Sequence, residues 1–181
     1  MSFVKTILEG NKIEYDDTEF EIVTNCYTKE KYLHYIGEGK DIHNPKGNIS
    51  CYCMFEDFKG TELDLSKFNT SEITNMSFMF NKCYNLKHLN LSNFNTHNVF
   101  DMSFMFHACM NLKELDISNF YIGNTKILDG IFWDCKSLEA LKVSSDCLQF
   151  FSMNRVLLEI GNNVNIIPAS KLDKAVENLF Y

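Results

Sequence analysis

Hydrophobic residues recur along this chain in a block of fixed length. The stretch LDLSKFNTSEITNMSFMFNKCYNL begins at Leu63, LNLSNFNTHNVFDMSFMFHACMNL begins at Leu89, and LDISNFYIGNTKILDGIFWDCKSL begins at Leu115, so the spacing is 26 residues. A fourth copy opens as LKVSSD and then diverges, while SCYCMF ends an incomplete first copy. Self-similarity at such a period is typical of repeat architectures. We therefore place a repeat region at residues 48–146.

Two kinds of spacing alternate within one unit. The L-x-x-L-x-L piece alternates like a short strand whose leucines point inward, and M-F-x-x-C-x-x-L has the three-to-four spacing of one or two helical turns. A unit of this size cannot bury its apolar face alone, so it has to stack on its neighbours. The pattern predicts an α/β repeat fold, a solenoid with a stacked sheet on one side and short helices or turns on the other.

Residues 1–47 are expected to form an N-terminal cap, because a solenoid needs ends that cover its outermost apolar faces. The alternating FEIV from Phe20 and the aromatic-rich KYLHYIG from Lys31 predict strands there. Acidic residues crowd into the same segment, which is typical of a solvated face.

Residues 147–181 are expected to form the C-terminal cap. Leu148 to Ile160 has the pattern of a helix or a degenerate unit, and Val164 to Ile167 that of a short strand. Ser170 followed by Asp173 approximates a capping box, which predicts a helix through Leu179.

The repeated motif resembles the BspA-like leucine-rich repeats of bacterial and protist surface proteins. The resemblance rests on L-x-x-L-x-L-S-x-F followed by M-S-x-M-F-x-x-C, and it covers a little over half of the chain. It implies a leucine-rich-repeat solenoid whose attributed role is to bind proteins or surfaces. The signal peptide, wall anchor and long repeat arrays of the surface members are not expected here.

Composition narrows the function classes. Hydrophobic residues are 45% of the chain and charged residues 23%, which favours a folded domain over a disordered one. The net charge is −7 and Arg155 is the only arginine, which argues against direct nucleic-acid binding. No apolar run is long enough for a membrane span. Seven cysteines, an odd number, suit a reducing compartment, so we expect a cytoplasmic protein.

The chemically reactive residue types show no catalytic pattern. Cys83, Cys109 and Cys135 occupy one position in successive units, which is typical of buried packing residues; a thiol column that binds a soft metal is the alternative. The five histidines show no pattern of pairing with cysteine or acidic residues, and phosphate-binding and nucleophile motifs are absent. We therefore expect no enzymatic activity, no cofactor and no metal.

A polar stripe is predicted on the sheet, because polar residues lie between the inward leucines of each strand. No structural role for its acids is evident from the sequence, which favours partner binding. Its candidate binding residues are Glu62, Asp64, His88, Asn90, Glu114 and Asp116.

An aromatic ladder is the second predicted surface. Tyr52, Phe78 and Phe104 each stand just before an inward Met or Cys, and the ladder ends at Gly130, while Phe100 widens it. Adjacent exposed aromatic rings are typical of partner-binding patches. The alternative is that these rings pack between the units.

Three functions remain open at this point. The first is a non-enzymatic scaffold that binds another protein. The second is a small acidic cytoplasmic inhibitor, such as a phage anti-defence or immunity protein, that occludes a basic cleft of its target. The third is a surface or adhesin-type repeat protein.

Overall fold

Two antiparallel hairpins form the N-terminal part of the computed structural model, which describes residues 3–26, 28–39, 42–47, 49–153, 156, 160 and 163–169. Strand β1 (Phe3–Leu8) pairs with β2 (Asn11–Asp16), and β3 (Phe20–Thr24) pairs with β4 (Lys31–Tyr35). The β1–β2 turn is tight because Glu9 and Gly10 both have a positive φ, of 44° and 83°. The strands predicted from FEIV and KYLHYIG are thus confirmed.

Five short strands follow, and all of their pairings are parallel. Strand β5 (Glu62–Asp64) pairs with β6 (His88–Asn90), and β7 (Glu114–Ile117), β8 (Ala140–Val143) and β9 (Asn165–Pro168) form a second sheet in that order. Leu63 is opposite Leu89 and Leu115 is opposite Leu141, so the pairing register equals the sequence repeat. The strand predicted at Val164 to Ile167 is confirmed as β9.

The predicted α/β leucine-rich-repeat solenoid is wrong. The strands of the described residues fall into four separate sheets of two, two, two and three strands, with no sheet pairing between β6 and β7. Their one α-helix, α1 (Ser145–Met153), follows the repeats rather than facing the strands within each unit. The molecule is a sheet-rich domain in which turns occupy the positions where helices were expected.

Left-handed backbone conformations explain why the M-F-x-x-C pieces do not form helices. Phe78 and Lys82 have φ of 58° and 59°, and Phe104 and Ala108 in the next unit have 54° and 59°. An α-helix requires a negative φ at every residue, so two left-handed residues four apart end any helix between them. Alternate N–H groups instead donate to the following unit, from Phe78 to Ser103 and from Phe104 to Asp129, both at 2.9 Å.

One hydrophobic cluster runs from the first hairpin to the residues after α1. Phenylalanine rings stack at its centre with centroid distances of 5.6 to 5.8 Å. Their positions are Phe55, Phe80, Phe106 and Phe132. Leu33 and Tyr35 of β4 belong to the same cluster, and the Tyr35 N–H donates to the Met54 carbonyl at 2.7 Å, so the second hairpin packs against the first unit. The helix predicted from Ser170 to Leu179 lies outside the described residues.

Candidate functional site

The predicted polar stripe lines one concave surface. All six of its candidate residues are exposed and border a groove of about 850 Å³. They are Glu62, Asp64, His88, Asn90, Glu114 and Asp116. Lys87 and Lys113 line the same groove, so four carboxylates face two ammonium groups. The groove therefore carries a net negative charge, although it is less acidic than the six predicted residues alone imply. We call it the polar groove.

Two of its acids have a structural role that the sequence did not reveal. Asp64 Oδ1 accepts a hydrogen bond from the Ser66 N–H at 2.9 Å, and Asp116 Oδ1 accepts one from the Ser118 N–H at 3.0 Å. Asn90 makes the same contact with Ser92 at 3.1 Å in the unit between them. These Asx turns close the chain after each strand. The expectation that the acids have no structural role is therefore wrong for Asp64 and Asp116.

Hydrogen bonds also keep these two carboxyl groups ionised. The N–H of Ser66 holds the pKa of Asp64 below its ordinary value. Burial alone would raise the pKa of Asp116, but hydrogen bonds from Lys142 and Ser118 outweigh it and lower that pKa. Lys142 Nζ lies 2.8 Å from Asp116 Oδ2. Among the described residues, Glu62, Asp64 and Glu114 form no ion pair, so their charges remain available to a partner.

The aromatic ladder is longer than the sequence indicates. We define the aromatic row as Tyr32, Tyr52, Phe78, Phe104 and Trp133. Neighbouring ring centroids are 5.3, 6.0, 5.0 and 6.2 Å apart in that order. The three predicted members, Tyr52, Phe78 and Phe104, are half-buried. They therefore pack against one another and also keep part of each ring on the surface.

Gly130 ends the predicted ladder for a steric reason. It has the same left-handed conformation as Phe78 and Phe104, with φ of 66°. A Cβ atom at Gly130 would lie 2.4 Å from Cε1 of Phe104, so only glycine allows the Phe104 ring to lie over this position. The next ring in the row is contributed by Trp133, three residues later, which is 57% exposed.

The first unit is out of register with the others. Cys53, not Tyr52, has the left-handed φ, of 52°, that corresponds to Phe78 and Phe104. Its N–H donates to the Ser77 carbonyl, whereas the Phe78 N–H donates to Ser103. The unit is thus one residue shorter, which a fixed 26-residue alignment misses. The Tyr52 ring still reaches the row, where its hydroxyl accepts a hydrogen bond from Asn25 at 2.8 Å.

A polar row runs beside the aromatic row and ends on the same tryptophan. Asn81 Nδ2 donates to Glu56 Oε1 at 2.7 Å, and His107 Nδ1 lies 2.7 Å from Asn81 Oδ1. The His107 ring is 5.7 Å from that of Trp133. Phe100 is 42% exposed, but none of the ring contacts among the described residues joins it to the aromatic row. The structure therefore does not support Phe100 as an extension of the row.

The cysteine column faces the interior. Cys83, Cys109 and Cys135 are buried, and their thiols donate to the carbonyl oxygens of Phe55, Phe80 and Phe106 at 3.0 to 3.3 Å. The pKa of Cys109 is raised by its contact with Cys83 and by burial. Each thiol is held inside the core by its hydrogen bond to a carbonyl oxygen, and these contacts favour the packing role over the soft-metal alternative.

Asx turns and stacked phenylalanine rings recur from unit to unit, as in a repeat protein. A family model described as "Mycoplasma protein of unknown function, DUF285" matches residues 49–165. Because this match covers more than half of the chain, the chain belongs to that family. Comparisons with curated proteins and with solved structures gave no match. None of the described residues forms an apolar helix of membrane-spanning length.

Proposed function

We propose that this chain is a non-enzymatic repeat scaffold that binds another protein, with the aromatic row as its main contact surface. The observation that carries the proposal is the uninterrupted series of five rings that ends on Trp133, which is 57% exposed. Tryptophan and tyrosine are enriched among the residues that dominate binding energy at protein interfaces. The resemblance of the motif to BspA-like repeats, to which a binding role is attributed, supports the same function.

The row also has the rigidity that an interface requires. The rings of Phe78 and Phe104 are nearly parallel, with an interplanar angle of 15° and centroids 5.0 Å apart. Rings that already pack against one another lose little conformational entropy when a partner covers them. The preformed row therefore supports a rigid docking surface rather than one that orders on binding.

A second candidate is an inhibitor that occupies a basic cleft of a target enzyme, and the polar groove favours it. Four carboxylates line that groove, and three of them, Glu62, Asp64 and Glu114, have no ion pair among the described residues. Complementary charge speeds association with a basic surface. In this case the groove rather than the aromatic row would carry the binding.

A cytoplasmic location belongs to the same proposal. The chain has seven cysteines, an odd number, and six of them are buried. Such a set suits a reducing compartment, where disulfides do not form.

The test exploits the fact that Trp133 is the only tryptophan of the chain. Partners captured on the immobilised protein are identified and then titrated against the free protein while tryptophan emission is recorded. A partner that covers the row should shift the emission to shorter wavelength and protect it from acrylamide quenching. Trp133→Ala should abolish capture, whereas Phe100→Ala, an exposed aromatic residue outside the row, should not.

The groove is tested in parallel with a variant that removes charge and keeps the turns. Glu62→Gln, Asp64→Asn, Glu114→Gln and Asp116→Asn are combined, because Asn90 already forms the same turn with an amide. Loss of capture in this variant, with capture unchanged in Trp133→Ala, would reject the aromatic row and favour the inhibitor.

A further inference from the structure

Three potential metal ligands meet at the edge of the N-terminal hairpins. Asp16 ends β2, Glu19 lies in the turn that leads to β3, and His43 lies in the segment before the repeats. One ligand atom from each residue can be chosen so that all three lie within 4.8 Å of one another. Backbone hydrogen bonds between Glu14 and Lys46, at 2.8 and 2.9 Å, hold the segment of His43 against β2.

Asp16 has a buried carboxylate oxygen without a hydrogen-bond partner among the described residues. Its side chain is buried, with 1% of the residue exposed, and its Oδ1 accepts two hydrogen bonds from Thr18, at 2.6 and 2.9 Å. Its Oδ2 is also buried, yet no described residue donates a hydrogen bond to it. Buried polar atoms are rarely left without a partner, so this oxygen calls for a cation or another donor.

The other two ligands are already oriented toward each other. Glu19 Oε2 accepts the backbone N–H of His43 at 2.8 Å, and Glu19 Oε1 lies 3.1 Å from His43 Nδ1. The edge of the Phe3 ring packs against the imidazole, with centroids 6.2 Å apart. The His43 ring therefore has a fixed place beside Glu19. The expectation that no histidine pairs with an acidic residue is wrong for His43.

We propose that Asp16, Glu19 and His43 bind a divalent transition-metal ion of the Zn²⁺ type. Two carboxylates and one imidazole form a donor set that Zn²⁺ accepts, with a fourth position left for water. Zn–O and Zn–N distances of about 2.0 to 2.2 Å need the ligand atoms to approach by small side-chain rotations from their present spacing. The ion would satisfy Oδ2 of Asp16 and replace the His43–Glu19 hydrogen bond as the link between the two segments.

None of the three proposed ligands belongs to the aromatic row, so the metal site and the partner-binding surface can be tested with separate variants.

The experiment uses the full chain in a Cys26→Ser background, because Cys26 is the exposed thiol that could itself bind metal. After chelator treatment and dialysis, ZnCl₂ is titrated by calorimetry, with MgCl₂ and CaCl₂ as comparisons. We expect one Zn²⁺ per chain and a rise in melting temperature with Zn²⁺ alone. Asp16→Asn and His43→Gln should each weaken binding at least about tenfold, the loss that even outer-shell substitutions cause. His97→Gln, an exposed histidine outside the cluster, should bind Zn²⁺ like the parent.

A spectroscopic measurement keeps the test valid if a variant fails to fold. Co²⁺ added to the unaltered site should give weak visible bands of oxygen and nitrogen ligation. Absence of one-to-one binding, equal affinity in His43→Gln, a preference for Mg²⁺ or Ca²⁺, or an intense thiolate–cobalt band would each overturn the proposal.

Discussion

The N-terminal hairpins and the repeat units share one hydrophobic cluster but use different kinds of contacts. In the repeats a contact recurs from unit to unit, as in the turns closed by Asp64, Asn90 and Asp116. In the hairpins the turn that Asp16 forms with Thr18 has this same form, whereas the contacts between Glu19 and His43 occur once among the described residues. A recurring contact can be explained by the repeat architecture, because each copy stabilises the same turn in its own unit. A contact that occurs once has no such explanation, and so it is the better place to look for a ligand.

The largest loss in the free energy of unfolding is expected in the stacked phenylalanine rings of the repeats, which have no counterpart in the described residues of the hairpins. Phe106→Ala should lower the free energy of unfolding by about 3 to 5 kcal/mol, because it leaves a cavity between stacked rings. Its ring lies 5.6 Å from Phe80 and 5.8 Å from Phe132. Leu33→Ala, at a buried position in the second hairpin, should cost less. Urea denaturation of both variants measures the order, and a greater loss for Leu33→Ala would show that the hairpins hold the cluster together.

Glycine substitutions separate backbone strain from crowding in the two regions. Gly130→Ala should lower the free energy of unfolding by about 1 to 2 kcal/mol because of the left-handed backbone alone. The total loss should be larger, because the new Cβ atom would clash with the Phe104 ring. Gly10→Ala has a similar positive φ but nothing within 4 Å, so it should show the backbone cost only. Equal melting temperatures for the two variants would mean that the Phe104 ring moves aside freely.

Substitutions of Asp64 test whether repeated acids serve the fold. Asp64→Ala should lose about 1 kcal/mol, the net value of an ordinary hydrogen bond, because the Ser66 N–H loses its acceptor. Asp64→Asn should stay within about 0.5 kcal/mol, since Asn90 forms the same turn. Chemical denaturation at neutral pH measures both. A loss in Asp64→Asn as large as in Asp64→Ala would mean that charge, not the turn, is what matters.

The hydrogen bond between Asp64 and Ser66 also predicts how the free energy of unfolding changes with pH. The pKa of Asp64 is lowered in the folded state by the Ser66 N–H. Its contribution is therefore present above the ordinary value of about 3.9 and is lost as pH falls through the lower folded pKa. Solvent screening keeps this contribution small at an exposed residue. Asp64→Asn should flatten the acid limb of the stability curve slightly, and an unchanged limb would contradict the assignment.

The smallest change in stability is expected at the most exposed member of the aromatic row. Trp133→Ala should alter the free energy of unfolding by no more than about 0.5 kcal/mol, as at other surface positions. Phe100→Ala should behave in the same way. A melting curve decides the point before any partner is known: a large loss in Trp133→Ala would make this ring part of the packing and weaken its use as a binding residue.

The repeat period and the inward residues can be predicted from sequence because they recur. Leu63, Leu115 and Leu141 are buried as their alternation indicates. The turns that replace the expected helices cannot be predicted in this way, since Phe78 and Lys82 are not residue types that signal a left-handed backbone. The β1–β2 hairpin does have a signal, an alternating pattern on either side of Gly10.

The candidate sites also divide into features that can be predicted because they recur in the sequence and features that cannot. The polar groove comes from the strand alternation, and all six of its predicted residues line it. Gly130 leaves room for the Phe104 ring, and Trp133 supplies the next ring of the row, a three-dimensional relation that no sequence period reveals. His43 meets Glu19 across 24 positions of sequence, and no periodic pattern links them.

The column of buried thiols makes the opening of each unit chemically measurable. Cys83, Cys109 and Cys135 lie in successive units, whereas Cys26 is exposed. A thiol reagent can modify Cys26 directly but reaches the others only when their unit opens. Proteolytic cleavage and mass spectrometry can follow the labelling of each thiol over time, so that each labelling rate reports how often its unit opens. The order of the three rates would show whether this protein unfolds from one end or as a whole.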